Sequence, residues 1–186
     1  CAALPLLAQA QLLHQAMRSL RRYALGLFPE KVLKPVLLTG LVWLSSRLSP
    51  PADSVDALLI LLAASVVSVV LLKRWLAAVA KEEFEPWLRT LSARTGDSFR
   101  RMQVRGQKTC WGSHSSTGTI SINYCLLFLE PALVRYLMIH ELCHARHMNH
   151  SRRFWQRVGR FEPDYKRLDK ALGESWKSIP AWLGIH

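Results

Sequence analysis

The 186-residue sequence predicts an α+β domain, and three observations carry that prediction. Apolar residues keep helical spacing from Leu72 to Leu91, the run from Thr117 to Asn123 alternates with a period of two, and a second helical stripe begins at Pro131. The expected architecture is a small antiparallel sheet, a long packing helix and a second helix with histidines on one face. An N-terminal helical segment precedes them. Residues 1–56 read as an N-terminal region of amphipathic helix and irregular or edge-strand structure, and residues 57–186 as the domain that carries the chemistry.

Taken in chain order, Leu6, Ala10, Leu13, Met17, Leu20 and Ala24 recur at four and three, which predicts an amphipathic helix ending in the basic run Arg18 to Arg22. Pro29, Pro35, Pro50 and Pro51 interrupt residues 29–56, which read as irregular structure or edge strands. Ala57 to Leu72 then carries no charge over sixteen residues and is followed by Lys73, Arg74 and Trp75. A membrane span needs about 20 apolar residues, so this run is slightly short. Its basic and aromatic flank nevertheless resembles an interfacial anchor, and Val36 to Leu44 offers a second apolar piece. The preferred reading is a buried strand near Leu58 to Leu62 leading into the long helix; membrane association through residues 57–72 is the alternative. From Leu72, the residues Trp75, Leu76, Val79, Phe84, Trp87, Leu88 and Leu91 extend that helix to Gly96.

Arg101 to Arg105 and Thr117 to Asn123 read as strands. Thr119, Ser121 and Asn123 alternate with Ile120 and Ile122, the pattern of a half-buried strand, and Gly112 to Gly118 is a turn-rich connection. The Trp111 indole reads as a packing anchor. Pro131 suits a first helical position, and Leu133, Leu137, His140 and His144 follow at four, three and four.

That last stripe contains the pentad His140-Glu141-Leu142-Cys143-His144. Histidines at i and i+4 lie one above the other on a helix, close enough to share one metal ion, with the glutamate beside them. Two neutral imidazoles on Zn²⁺ leave room for a third protein ligand and a water, and Glu141 would take a proton from that water. A random chain of this composition shows such a pentad about once in a hundred, so the helical context strengthens the match. Cys143 lies between the histidines but off their face, which suits packing.

Four residues compete to be the third ligand: His150, His147, Glu162 and His114. His147 on a straight helix lies about 10 Å along the axis from His140, an awkward distance. Asn149 tolerates the left-handed conformation that ends a helix, which would turn the chain and bring His150 back to the metal. His150 is the leading candidate. Ser151 then suits the cap of a following helix whose Phe154, Trp155 and Val158 pack behind the site. Glu162 stays open, because some zinc enzymes take a glutamate from a second helix.

The segment from Lys108 to Asn123 around Cys110-Trp111-Gly112-Ser113, then Tyr136, the pentad, Asn149-His150-Ser151-Arg152-Arg153-Phe154-Trp155 and Glu162-Pro163-Asp164-Tyr165 together resemble the YgjP-like branch of the SprT-like (WLM) zinc metallopeptidases. The resemblance covers about residues 66 to 182. It implies a zincin-like metallopeptidase domain in which His140, His144 and His150 bind one zinc ion and Glu141 is the catalytic base. Two departures flank the Trp111-Gly112-Ser113 turn: the family usually has arginine at the place of Cys110 and often cysteine at that of His114. In zinc peptidases of this general kind an edge strand beside the metal helix pairs with an extended substrate, and Thr117 to Asn123 is the candidate here. Tyr165 and His114 are candidate donors to a developing oxyanion.

Composition bounds the remainder. Cys1, Cys110, Cys125 and Cys143 form no paired spacing, so reduced thiols in a cytoplasmic setting are the simpler reading, with a processed lipoprotein as the lesser alternative. The net charge of +12 is uneven: residues 1–88 hold nine Lys/Arg against six Asp/Glu, residues 89–186 sixteen against seven. Arg100, Arg101, Arg105 and Lys108 precede the turn, and Arg146, Arg152, Arg153, Arg157 and Arg160 surround the histidines. Such a field attracts nucleic acid, nucleotides or acidic proteins. Three functions therefore compete: a zinc peptidase acting on polypeptides, a metal-dependent phosphohydrolase acting on nucleotides, and a non-catalytic zinc-stabilised module that binds nucleic acid.

Overall fold

Without a glycine between Gly40 and Gly96, and with leucine, alanine and valine dominating, the chain from Ser54 winds as one helix, α1, Ser54–Thr95. The computed structural model describes residues 36–40, 43, 44, 54–180 and 183. The amphipathic helix expected over Leu6 to Ala24 lies outside them. The strand expected near Leu58 to Leu62 is helix instead, and Leu59 and Leu62 are exposed. No turn residue separates that run from the helix after it, so the helical period continues unbroken. Within 29–56, the described residues are helical as well, not edge strands: 36–40, 43, 44 and 54–56.

The chain divides into two compact units, Cys1–Leu72 and Lys73–His186. The second contains the rest of α1, whose Leu76, Ala80, Phe84, Leu88 and Leu91 are buried at spacings of four and three. After α1 come β1 (Arg101–Arg105), β2 (Gly112–His114) and β3 (Thr119–Asn123), then a 3-10 turn at Tyr124–Phe128 and the helices α2 (Pro131–Cys143), α3 (Arg152–Phe161) and α4 (Tyr165–Glu174). Helices and a small three-stranded sheet make the α+β class.

The sheet is mixed, not antiparallel. Its order is β1-β3-β2, with β1 parallel to β3 and β2 antiparallel to it. The inserted hairpin explains this. A turn at Ser115 to Gly118, closed by the Gly118 N–H donating to Ser115 O at 2.9 Å, makes β2 and β3 neighbours, and Gly118 takes φ +78 there. β1 joins the other side of β3, running the same way. β3 is consequently central and buried along Ile120 to Asn123, instead of half-exposed. Its buried polar groups are paired: Asn123 donates to the carbonyls of Gln107 (2.7 Å) and Cys110 (3.2 Å) and accepts from the Cys125 N–H (3.1 Å).

Trp111 is buried, as expected of an anchor. Its indole N–H donates to Leu172 O at 3.0 Å and its ring stacks 3.7 Å from that of Trp176, which ties the sheet to the end of α4. A second tie is ionic. Gly96 ends α1 at φ +69, and the next residue, Asp97, is buried between two arginines. Arg146 donates from Nε to Oδ1 at 2.7 Å, while Arg157 donates from Nε to Oδ2 at 2.8 Å and from Nη2 to Oδ1 at 2.7 Å. The same guanidinium groups reach the carbonyls of Gly96 and Thr95. One carboxylate thus fixes the end of α1, the chain just after α2, and α3. Asp97→Ala leaves two arginines facing a buried void and is expected to cost about 3–5 kcal/mol in urea unfolding followed by circular dichroism. A loss below about 1 kcal/mol would show that the clasp is not structural.

A candidate metal centre

α2 is buried on almost every side: Val134, Tyr136, Leu137, Met138, Ile139, Glu141, Leu142 and Cys143 are all covered. It is a core helix, and its spacing puts His140 and His144 one turn apart with their rings 5.1 Å between centroids. Pro131 occupies its first turn as expected. The helix stops at Cys143, five residues before Met148, because Cys143 O accepts from both Arg146 N–H and His147 N–H in a tight turn. The expected left-handed Asn149 is absent: no described non-glycine residue has a positive φ. The turn does what that residue was expected to do, and His150 comes back to the pair.

The ligand atoms of His140, His144 and His150 lie within 4.8 Å of one another, with the Nε2 atoms of His140 and His150 3.0 Å apart. Two nitrogens each about 2.0–2.1 Å from one ion cannot stand more than roughly 4.2 Å apart, so small ring rotations complete the site on binding. Hydrogen bonds set which nitrogens keep their lone pairs. His144 Nδ1 faces His147 O at 2.9 Å and so carries the proton, which leaves Nε2 as the ligand atom. Tyr136 donates its hydroxyl hydrogen to Asp169 Oδ1 at 2.7 Å, so its oxygen faces His140 Nδ1, at 3.4 Å, as an acceptor. Again Nε2 is left for a metal.

Burial, then the charges of His144 and His150, hold His140 down to about 3. Burial likewise lowers His144. Both rings are neutral at pH 7, the form that binds metal. Phe154 packs 4.5–4.9 Å from all three rings, and Trp155 stacks on His150 at 5.6 Å. Val158 is buried on the same helix. Ser151 takes the N-cap position without a side-chain capping bond.

Glu141 is 4% exposed, its Oε2 has no hydrogen-bond partner, and burial pushes its carboxyl up to about 8. An orphaned buried carboxyl beside three converging imidazoles is what a divalent cation would complete, so the residues fit a metal. Gly112 on β2 closes the space over it: a Cβ there would stand 2.9 Å from Glu141 Oε1. His114, at the other end of β2, contacts the Glu141 carbonyl through Nδ1 at 2.5 Å.

The other candidates go elsewhere. Glu162 is bound to Arg135 at 2.7 Å. His147 contributes its carbonyl to His144, and neither it nor His114 joins the cluster. Tyr165 stacks on Trp155 at 5.3 Å, one ring farther out than the histidines. Cys143 is buried and its thiol pushed up to about 12, an inert packing group.

Thr117 to Asn123 cannot pair with a substrate, because β3 has neighbours on both sides. The edge strand beside α2 is β2, read from sequence as a connection; three residues are too short to show a period. Trp111 O and Ser115 N–H bond toward β3, so the backbone groups of Gly112 and His114 point to the open edge. Asp169 and Asp97 were also missed. Each meets its partners across 33 or more residues, beyond any local pattern.

A family model described as a YgjP-like metallopeptidase domain matches residues 66–175, more than half of the chain. No curated protein and no solved structure matches it.

Two outcomes test the site. Asp169→Asn with Tyr136→Phe should weaken zinc affinity about 10–100-fold in competition titrations with a chelating dye, while leaving the fold intact; an unchanged affinity would remove the relay from the site. The second concerns pH. Folding raises the Glu141 pKa from 4.5 to about 8, so between those values unfolding releases its proton and stability falls as pH rises. In chelator-treated protein, Glu141→Gln should therefore match the wild type near pH 5 and exceed it by a few kcal/mol near pH 9. Equal melting temperatures at pH 9 would contradict the buried, unpaired carboxyl.

Proposed function

The chain belongs to the YgjP-like metallopeptidase-domain family, and from that premise we propose that it is a zinc-dependent peptidase that hydrolyses peptide bonds in polypeptides, with His140, His144 and His150 holding one ion. The observation that carries the reading is the juxtaposition of that triad with a buried, unpartnered Glu141. Zinc held there supplies Lewis acidity, which makes water acidic near neutral pH and polarises a carbonyl.

The chain's own groups do the rest. Glu141 is the general base: a cation at the histidines favours its carboxylate, so a group that is neutral in the metal-free protein becomes able to accept a proton from water. The same carboxyl then returns the proton to the departing amine. The Gly112 and His114 backbone at the open edge of β2 is suited to hold an extended peptide by main-chain hydrogen bonds, which favours unfolded segments over particular sequences. His114 donates from Nδ1 to the Glu141 carbonyl, which in the neutral ring leaves Nε2 an acceptor, so it serves to hold β2 against α2 and is not the oxyanion donor.

The phosphohydrolase and nucleic-acid readings lean on the basic field, and part of that field is engaged in ion pairs. Arg146 and Arg157 are spent on Asp97 and Arg135 on Glu162. Arg100, Arg101, Arg105 and Lys108, with Arg152, Arg153 and Arg160, are exposed and remain the residues through which nucleic acid or a nucleotide would be met.

The test is elemental analysis combined with turnover of an unfolded protein substrate. Glu141→Gln is expected to keep about one zinc per chain and lose about 10³-fold or more in kcat. His150→Ala is expected to lose the metal. Phosphate release from nucleotides without peptide cleavage, abolished by Glu141→Gln, would move the chemistry to phosphorus.

A further inference from the structure

The first half of α1 presents an apolar face to solvent that the peptidase reading does not use. Leu59, Leu62, Val66 and Val70 recur at three, four and four and are 50–62% exposed, and Val67 and Leu71 widen the stripe. Leu62–Thr95 is long and apolar enough to cross a membrane, and its most apolar window is only 22% buried, unlike the core helix of a water-soluble domain. We propose that this face lies in the plane of a phospholipid bilayer, with its side chains among the acyl chains and Lys73 and Arg74 at the headgroups.

Three features choose lipid over a protein partner. At about 100° per residue, the exposed apolar positions from Leu62 round to Leu71 span roughly half of the helix circumference, wider than the stripe of about 100° that a packing helix covers. The opposite side, Ala64, Ser68 and Leu72, is buried, so the helix has one face in protein and one outside it. That one-sided burial suits a helix lying in the plane of the bilayer.

Charge completes the pattern. Lys31 and Lys34 precede the short helical piece at 36–40, which adds exposed Val36, and Lys73, Arg74 and the exposed Trp75 close the long run. Residues 45–56 between the two apolar pieces hold one arginine, Arg47, against Asp53 and Asp56. Basic groups thus flank both apolar pieces, where they can meet anionic headgroups. At the end of the stripe, Lys73 and Arg74 can extend to headgroups along their aliphatic stems, and the exposed Trp75 lies beside them in sequence.

The experiment is flotation of the purified full chain with vesicles of phosphatidylcholine alone and of phosphatidylcholine with phosphatidylserine. Wild-type protein should float with both, more with the anionic mixture, and stay bound in high salt. The triple variant Leu62→Glu, Val66→Glu, Val70→Glu should lose about tenfold or more of the bound fraction with unchanged zinc content. Should that variant fail to fold, brominated acyl chains provide a second readout: they should quench wild-type tryptophan fluorescence more than that of Trp75→Phe. Protein that never floats overturns the proposal. So does binding confined to anionic vesicles and released by salt, which would be the basic surface alone. A concentration-dependent dimer in water that the triple variant breaks, without flotation, would make a second copy the occupant and overturn it too.

Discussion

A carboxyl and two imidazoles on a helix buried on nearly every side constrain everything around them. Desolvation keeps His140 and His144 neutral and makes Glu141 hold its proton, and the orphaned Oε2 leaves the core with a polar group that protein does not satisfy. A surface helix would place the same residues in water and give ordinary acids and bases. Core burial also dictates the neighbours. The strand over Glu141 must carry no side chain where Gly112 sits, and the rings behind the histidines are apolar. The chemistry and the packing are therefore one arrangement, and a cation resolves the electrostatic cost that the packing creates.

The third histidine depends on a different kind of restraint. His150 follows α2 by seven residues, on a turn whose local bonds run from Cys143 O to Arg146 and His147. The turn is anchored from outside by Arg146 on Asp97, whose other partner, Arg157, belongs to α3. A buried carboxylate shared by two guanidinium groups holds the end of α1, the turn and α3 in register. Part of the positive charge that suggests a polyanion partner thus also has a structural role.

Legibility followed the range of the forces involved. α2, its proline start and the i, i+4 histidines were readable because helical period is local, and so were β1, the Gly96 stop and the Trp111 anchor. His150 was reached by an incorrect route: a left-handed Asn149 was expected, and a turn ending α2 early does the work. The strand predicted at Leu58 to Leu62 failed because a short apolar run fits either period, and only continuity with the following helix decides between them. β3 was read as half-buried from its alternation, whereas Ser121 and Asn123 are covered too, because β1 and β2 flank it on both sides.

By itself the sequence determined the pentad, the periods of the helices and strands and the uneven charge, all of which depend on residue type and spacing along a few turns. Tertiary structure decided which residues share the site. It placed His150 with the pair and sent Glu162 to Arg135. It also made β2 the open edge, and joined Asp169 to His140 through Tyr136. The physical reason is separation. Periodicity is a property of neighbours, while sheet order and buried ion pairs depend on segments tens of residues apart, and the return of His150 on a turn that those ion pairs anchor; only the packed core brings these within a few ångströms.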